Sequence, residues 1–461
     1  MRAVIKKYLA STAVAALLCV ALPVYATAQE TLSSALTAAY ETNPDLAAAR
    51  KELMATNETY NQAISNWRPQ ISSFATYGQT DETNSRAFTG AKEERNPRTY
   101  GLSAQQPIYR GGRTTAATKA AEATIERGRA LLLDREQQVL LATVTAYMDV
   151  VQAQAVLNVN NNNVQVLKRN LEATQDRFRV GEVTLTDVAQ AESRLAKANS
   201  DVTEATGTLN SARAAYERVV GRIPGELQRP DILLTLPINL DDAVTTSRKE
   251  APRVLAAMGA RDAAEQNVRE AKGSILPEVR LEAQAQSAED TSVLGGTTDT
   301  MSLTGRLTLP LYQSGAEYSQ VRQAQQTFAQ RRSEMLNEER SAVEATIRAW
   351  NTLQTARAQI ESFNSQIKAA EVALDGVRQE AVVGSRTVID VLDAEQELLN
   401  ARVNLIRTER EEVVAQYTLL SAIGRLNAAS LALPTTLYDA KTEFDTVKGQ
   451  WIGFADTDTV D

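Results

Sequence analysis

The stretch VGSRTVIDVLDAE, residues 383–395, decides the fold of this chain. It places a glycine, an arginine and two aspartates, Asp390 and Asp393, between two long helical patterns. Residues 180–192 read VGEVTLTDVAQAE and repeat the arrangement with only one of the two acids, Asp187. Because the same helix-to-helix turn occurs twice, the sequence predicts a chain built from two copies of one unit.

The composition argues for a folded protein and gives little support to an enzyme. The chain has 461 residues, of which 43% are hydrophobic, 23% are charged and only 5% are aromatic. It contains no histidine, which excludes histidine-based metal sites and histidine-dependent nucleophilic catalysis. It also lacks a GxSxG motif and a phosphate-binding glycine loop, so neither an enzyme nor a cofactor is predicted.

Residues 1–28 have the pattern of a secretory signal peptide. Three basic residues precede an apolar run over about residues 9–24, and residues 26–28 read ATA, a small-x-small cleavage site. The single cysteine, Cys19, lies inside this run, so the mature chain is predicted to contain none. Removal of the three positive charges changes the net charge from -8 to about -11, which argues against nucleic acid as a partner.

An internal repeat covers most of the remaining chain. Residues recur at a spacing of 203 in the pairs Pro107 and Pro310, Gly181 and Gly384, Asp187 and Asp390, and Gly221 and Gly424. Upstream, Pro44 and Pro69 recur as Pro252 and Pro277 at a spacing of 208. The sequence therefore predicts a first repeat over residues 29–222, a proline-bearing linker over 223–238, a second repeat over 239–425 and a tail over 426–461. The tail is expected either to pack around the helices or to be disordered.

Each repeat is predicted to contain a helix followed by a β-hairpin. The helices are expected over about residues 31–66 and 239–275, where Pro69 and Pro277 stop them. Alternating apolar and polar residues then predict four antiparallel strands, at about 70–79, 99–105, 279–286 and 301–309, with loops over 81–96 and 289–300. Such strands suit either a half-buried soluble sheet or an outer-membrane barrel.

The strands are followed by very long helical hairpins. The patterns over about residues 113–179 and 316–382 contain no proline, and each predicts a helix of roughly 100 Å. Apolar residues alternate at three and four positions along the second of these, as expected of a coiled coil. They are Leu353, Ala356, Ile360, Phe363, Ile367, Ala370, Leu374 and Val377. The pattern continues after Gly181 and Gly384, so each repeat is predicted to end in an antiparallel hairpin with its tip at that glycine.

Four strands in a bilayer are too few to close a barrel, because about eight strands is the practical minimum and an open edge leaves backbone groups unsatisfied in lipid. If the strands are transmembrane, several chains must therefore share one barrel. Two chains would give a packed barrel of eight strands, whereas three chains would give twelve strands and a lumen. The fold class expected is mainly α, with a small antiparallel β part.

The repeat, the four strands, the two hairpins and residues 383–405, VGSRTVIDVLDAEQELLNARVNL, together resemble the TolC family of outer-membrane efflux and secretion channels over nearly the whole mature chain. The resemblance implies a homotrimer in the outer membrane, with a twelve-stranded barrel that continues as an α-helical tunnel into the periplasm. It also implies a passive duct that meets a periplasmic adaptor (membrane fusion) protein and an inner-membrane ABC or proton-driven transporter. Multidrug efflux and type I protein secretion both remain open as its function.

Asp390 and Asp393 are three residues apart and so lie on one helical face. Acids in a first helical turn ordinarily cap free amides, and Asp187 is expected to do so in the first repeat. Gln190 takes the place of Asp393 there, so capping leaves the second acid unexplained. The resemblance implies that both aspartates form the pore constriction, where carboxylates from three chains would favour cations and allow cation block.

The resemblance also implies a gate latch, in which Arg386 ties its hairpin to the neighbouring one near Thr186 and Asp187. The alternative is an ordinary solvated arginine. The family pattern has a tyrosine five residues before this arginine, and here that position holds Ala381. The closing network is therefore expected to be weaker or built differently.

Val180, Gly181, Val383 and Gly384 form the predicted tips of the hairpins. The glycines supply the backbone freedom of a tight turn, and the resemblance implies that the tips contact the adaptor. The competing interpretation of the whole chain is a periplasmic coiled-coil scaffold or adaptor that has no pore.

Overall fold

The computed structural model describes residues 30–83, 92–230, 234–291 and 295–454, so the predicted signal peptide lies outside the described residues. The described chain is mainly helical with a small antiparallel sheet, which confirms the predicted fold class. Its helices are α1 Leu32–Thr42, α2 Pro44–Ile64, α3 Arg113–Arg179, α4 Leu185–Val220, α5 Leu240–Glu250, α6 Pro252–Gly273, α7 Ala316–Val382, α8 Val388–Ala422 and α9 Ala440–Val447. Its strands are β1 Gln70–Tyr77, β2 Thr80–Thr83, β3 Lys92–Arg95, β4 Arg98–Arg110, β5 Glu278–Glu289 and β6 Thr297–Thr308.

The two long helices, α3 and α7, each have 67 residues and end at the predicted positions. Each packs along the helix that follows it, α4 or α8, as an antiparallel hairpin. The predicted coiled-coil residues of α7, from Leu353 to Val377, are buried or half-buried, and most of the positions between them are exposed. The heptad pattern thus identified the contact face of the hairpin correctly.

The prediction of one continuous helix at the start of each repeat was wrong. The first helix is broken at Asn43, whose side chain accepts hydrogen bonds from the amides of Asp45 and Leu46 at 2.9 and 3.4 Å. Pro44 is the first residue of α2, where its missing N–H costs nothing and its ring fixes a helical φ. A break at Ala251 separates α5 from α6 at the matching position, with Pro252 as the first residue of α6 but without a side-chain cap.

The four main strands form one antiparallel sheet in the order β1-β4-β5-β6. The two repeats meet at its centre, where β4 of the first pairs with β5 of the second. β1 and β6 lie at the two edges of this sheet and run in opposite directions. Within the described residues neither edge is paired to a further strand, so the sheet of one chain is open on both sides.

The strand register divides the sheet into an apolar face and a polar face. Leu102 lies opposite Ala285, which in turn lies opposite Met301, in a row of apolar side chains exposed on one face. On the other face Glu282 forms ion pairs with Arg280 and Arg306, at 3.3 and 3.1 Å. An exposed apolar face and a charged opposite face are expected of strands between lipid and an aqueous lumen.

The predicted hairpin loops are shorter than expected. The first hairpin continues beyond Gly78 as β2 and β3, which pair from Thr80 opposite Arg95. In the second hairpin, β5 extends to Glu289 and β6 begins at Thr297. The polar composition of these segments predicted loops. A strand that lies outside a membrane needs no apolar face, so polar residues can still pair as strands there.

The largest apolar core lies near the middle of α3, where α4 and α8 end. Leu140 and Val144 of α3, Tyr216 of α4 and Leu419 of α8 are fully buried there. Part of the tail belongs to the same core, since Leu426 and Ala428 are also fully buried. α3 contains an apolar stretch long enough to cross a bilayer, but half of that stretch is buried, as in a core helix.

Candidate functional site at the helical tips

Both hairpin tips are glycine turns of the same geometry. Gly181 and Gly384 have φ angles of 82° and 79°, a left-handed conformation that glycine adopts without strain. The amides of Glu182 and Ser385 each donate to the carbonyl oxygen five residues earlier, at 3.0 Å, which closes the long helix in a Schellman arrangement. Val180 and Val383 are 72% and 78% exposed beside these turns. The structure thus presents the four predicted tip residues to solvent.

The helix after each turn begins with a capping box. In the second hairpin, the backbone amide and the hydroxyl of Thr387 donate to Asp390 Oδ2 at 2.9 and 2.7 Å, and Thr387 Oγ1 accepts from the Asp390 amide. Thr184 and Asp187 make the same bonds in the first hairpin. These hydrogen bonds, with the nearby charge of Arg386, hold the pKa of Asp390 below its ordinary value.

Asp393 forms a contact that the sequence did not predict. Arg194 of α4 donates from a guanidinium nitrogen to Asp393 Oδ1 at 2.6 Å, which joins the second hairpin to the first. The two residues are 199 positions apart, so no local spacing could have indicated the pair. The Asp393 side chain remains 60% exposed, so one side of its carboxylate still faces solvent.

Glu395, two residues further along α8, holds three helices together. Its side chain is 5% exposed, and both of its oxygens accept from the Asn170 amide of α3, at 2.9 and 2.8 Å. Arg378 of α7 donates to the same carboxylate at 2.9 Å. No local spacing in the sequence predicted this junction, in which one buried carboxylate joins α3, α7 and α8.

An apolar cluster lies beside these polar contacts. Leu167 of α3, Ala198 of α4 and Leu392 of α8 are buried against one another, and Val164, Leu195 and Val388 pack around them. Asp393 follows Leu392 directly, so this packing fixes the direction in which α8 leaves the tip. Two charged contacts and one apolar cluster therefore position the second hairpin against the first.

Arg386 pairs within its own hairpin in the described chain. Its Nε donates to Glu380 Oε2 at 2.9 Å, and this hydrogen bond raises the pKa of Arg386. Of the two predicted latch partners, Thr186 is exposed and Asp187 is engaged in its capping box. The latch between these residues and Arg386 therefore stays a prediction about assembled chains. Ala381, at the position of the family tyrosine, is buried at the base of the tip.

Over the ranges that the structure describes, no group of three acids, cysteines or histidines is placed to hold a metal ion. Asp390 and Asp393 of one chain are thus a pair of carboxylates, one capping its helix and one bound to an arginine. A cation site at the tips would require the same residues from further copies of the chain.

Comparison with known proteins agrees with this architecture. The model of the family described as "Outer membrane efflux protein" matches residues 35–222 and 243–425. The chain is 33% identical over 433 residues to the outer membrane efflux protein BepC of Brucella suis, covering 93% of each chain. It is 28% identical over 406 residues to the outer membrane protein TolC of Escherichia coli K12, covering 84% of this chain and 81% of the relative.

The fold matches a solved structure of the same kind. The CmeC outer membrane channel of Campylobacter jejuni superposes with a TM-score of 0.78 at 18% identity, over 90% of this chain and 88% of that one. The family match covers both repeats and the BepC relationship spans nearly the whole chain, which confirms the resemblance found in the sequence. The chain therefore belongs to the outer membrane efflux protein family, whose members are outer-membrane channels and not enzymes.

Proposed function

We propose that this protein is the passive export duct of a tripartite transport system. The observation that carries the proposal is the short connection from sheet to helix, which has two residues in the first repeat and seven in the second. Only Gly111 and Gly112 separate β4 from the 67-residue helix α3, so a membrane strand and a helix of roughly 100 Å form one continuous wall. A solute that enters between the helices can leave through the barrel without crossing lipid.

The duct is completed by three chains. The edges of the sheet, β1 and β6, run in opposite directions, so β6 of one copy can pair with β1 of the next and continue the antiparallel order. Three copies of a four-stranded sheet make a barrel of twelve strands, which is wide enough for a lumen. The ion pairs around Glu282 would line that lumen, and the apolar face with Leu102 and Met301 would face lipid.

The tips form the gate in this proposal. Asp390 and Asp393 from three chains would surround the periplasmic entrance as a constriction that attracts cations. Arg386 would exchange its bond to Glu380 for one to Thr186 and Asp187 of a neighbouring hairpin when the gate closes. The exposed Val180, Gly181, Val383 and Gly384 would meet the periplasmic adaptor, which connects the duct to an inner-membrane ABC or proton-driven transporter.

Single-channel recording in planar bilayers tests the duct and the constriction together. We expect a steady conductance that a trivalent cation blocks from the periplasmic side. D390N keeps an oxygen that can cap the helix but removes the charge, so it should weaken the block. D187N removes the charge at the equivalent cap and also a proposed latch partner, so it should raise the resting conductance, as R386S does, but leave the block unchanged. Block that is identical in D390N and the unsubstituted protein would reject the constriction.

Two further results would decide the remaining parts of the proposal. R386S should raise the resting conductance if Arg386 is a latch, and wild-type conductance would reject that role.

The alternative function, a scaffold or adaptor with no pore, predicts recovery of the protein as a soluble periplasmic monomer. The exposed apolar face of the sheet argues against that alternative, because a soluble monomer would leave Ile71, Met301 and Leu303 in water.

A further inference from the structure

The last described residues of the tail expose three large apolar side chains. Trp451 is 67% exposed, Ile452 97% and Phe454 104%, and we call these three residues the aromatic tail segment. The preceding helix behaves differently, since Phe444 of α9 is buried edge-on against Tyr60 of α2 at a ring separation of 5.5 Å. The exposure is therefore confined to the segment beyond α9.

Specific hydrogen bonds fix the residues that directly precede this segment. Arg68 donates to the carbonyl oxygens of Gln450 and Gly449 at 2.6 and 3.2 Å, and its guanidinium lies 4.7 Å from the centre of the Trp451 ring. Seven residues earlier, the Asn61 side chain donates to Val447 O and accepts from the Gly449 amide, at 2.8 and 2.9 Å. Four hydrogen bonds to residues 447–450 and the ring contact to Trp451 therefore give the start of the segment a defined place on the molecule.

That place is the junction between the helices and the sheet. Arg68 lies two residues before the first residue of β1, and the carbonyl of Trp67 accepts from Gln106 of β4 at 2.8 Å. Other large apolar side chains are exposed at the same junction, namely Ile108, Tyr109, Leu276, Leu309, Leu311 and Tyr312. The aromatic tail segment thus lies at the level where the strands would leave the bilayer on the periplasmic side.

The strand register indicates the side of the sheet on which the segment lies. Gln106 is opposite Leu281, in the row of residues that belongs to the apolar face. Because the Gln106 side chain bonds Trp67 O, the connection from α2 to β1 lies beside that face, and Arg68 and the tail lie next to it. The exposed side chains therefore adjoin the lipid side of the sheet and not its polar, lumenal side.

We propose that the aromatic tail segment inserts into the headgroup region of the periplasmic leaflet and anchors the tail to the outer membrane. The inference rests on the barrel of the proposed function. Tryptophan and other aromatic side chains favour the boundary between headgroups and acyl chains, where a ring is partly dehydrated. Arg68 places a positive charge beside the segment, where the lipid phosphates would lie. The headgroup boundary satisfies the apolar groups and the cation together.

Fluorescence quenching in bilayers tests the depth of the segment. The only cysteine is Cys19 in the predicted signal peptide, so single cysteines can be introduced and labelled with an environment-sensitive dye. The full mature chain carrying I452C would be reconstituted into phosphatidylcholine vesicles that contain lipid with a shallow or a deep nitroxide. L303C in the apolar face is the control for lipid contact, and V372C on the exposed surface of α7 is the control for water.

We expect the shallow nitroxide to quench the I452C label at least about twofold more than the deep one, as for a residue about 5–10 Å into the boundary. Adding W451S and F454S should reduce this quenching to the level of V372C. An I452C label that behaves like V372C would overturn the proposal, and so would a blue-shifted label that neither nitroxide quenches, because protein would then cover the segment. An unquenched L303C label would overturn the barrel itself and the anchor with it, whereas quenching at L303C alone would reject only the anchor.

Discussion

The carboxylate of Asp390 accepts hydrogen bonds from the amide and hydroxyl of Thr387, and these bonds lower its pKa. An acid whose folded pKa is depressed adds stability above its ordinary pKa of about 3.9, and that stability is lost as the pH falls through the folded value. The charge at the entrance should follow the same titration. In the proposed gate, helix capping and cation block would therefore depend on the same ionisation.

We expect the cation block to be the same at pH 7 and pH 5, and to weaken only below about pH 4 as Asp390 takes up its proton. The measurement is the half-blocking concentration of a trivalent cation in planar bilayers over this pH range. Crowding of carboxylates from three chains would act in the opposite direction and raise the pKa. A block that titrates between pH 5 and 7 would show that crowding outweighs the cap.

The ion pair between Arg194 and Asp393 sets how much negative charge the second acid contributes. R194Q leaves Asp393 unpaired, so the half-blocking concentration should fall by roughly three- to tenfold, since unit charges about 4 Å apart interact by about 1 kcal/mol in water. D393N leaves the arginine unpaired and should shift the block the other way. The double variant should return close to wild type, and a double variant that is blocked as strongly as R194Q alone would contradict the pairing.

Because both members of this pair are partly exposed, R194Q should lower the free energy of unfolding by less than about 1 kcal/mol. A thermal unfolding curve of the purified variant is the control for an unfolded or rearranged tip. A large loss of stability would mean that the altered block reflects misfolding and not charge.

The candidate site was predictable where its signals were local. Thr387 and Asp390 have the spacing of a capping box, and Gly384 marks the turn before it, so both could be found in a short window. Arg194 and Asn170 meet Asp393 and Glu395 only because the hairpins cross. A single sequence contains no information on which charged residues of one coiled coil will face those of another.

At the scale of the helices, the kind of signal in the sequence again explains which predictions were correct and which were wrong. The seven-residue pattern identified the buried face of α7 because burial in a hairpin depends on periodicity alone. The break at Asn43 was missed, although an Asn followed by Pro44 is a recognised helix start. The apolar pattern continues from α1 into α2 because both helices pack against α3, and this continuity favoured the prediction of one helix.

Glu136 of α3 fixes the tail to the helical core. Its buried carboxylate accepts from the Ala428 amide at 2.7 Å, and burial raises its pKa despite this bond and the nearby Arg50. E136A would leave a buried amide without a partner and should cost about 1–3 kcal/mol of stability. E136Q keeps an acceptor oxygen without a charge to desolvate, so it should be at least as stable as wild type at pH 7.

The pH dependence gives this prediction its sign. An acid with a raised folded pKa destabilises the fold when ionised, so wild type should gain stability relative to E136Q as the pH falls from the folded pKa toward about 4.3. Thermal unfolding midpoints at pH 7 and pH 5 would measure the difference. A midpoint of E136Q as low as that of E136A would show that the carboxylate charge itself, and not the hydrogen bond, holds the tail.

At the scale of the whole molecule, the most important feature is that the sheet of one chain has two different edge strands. β1 and β6 lie at opposite sides of the sheet and point in opposite directions, so copies related by rotation can join head to tail. Such head-to-tail contacts form a closed ring only if the rotations between neighbouring chains add up to one full turn. The twist of the sheet determines how many chains that requires. The repeat predicts the four strands, but the sequence of one chain does not indicate how many chains form the ring.

Disulfide cross-linking between strand edges would count the chains directly. Single cysteines in β1, at Ser73 or Ala75, would be combined one at a time with cysteines in β6, at Leu303 or Leu307, and oxidised in outer membranes. These β1 and β6 positions share the apolar face but lie at opposite edges of one sheet, so a bond between them must join two chains. We expect bands of one, two and three chains under denaturing, non-reducing conditions, with nothing larger.

The matched control uses strands that already pair within a chain. L102C with A285C places cysteines directly opposite each other in β4 and β5, so oxidation should leave the band of a single chain. A ladder from the β1 and β6 pairs that ends at two chains would indicate an eight-stranded barrel filled by its own side chains, which conducts poorly. A ladder that extends beyond three would indicate an open or larger assembly. Either result would contradict the twelve-stranded duct, because the lumen and the ring of Asp390 carboxylates both depend on three copies meeting around one axis.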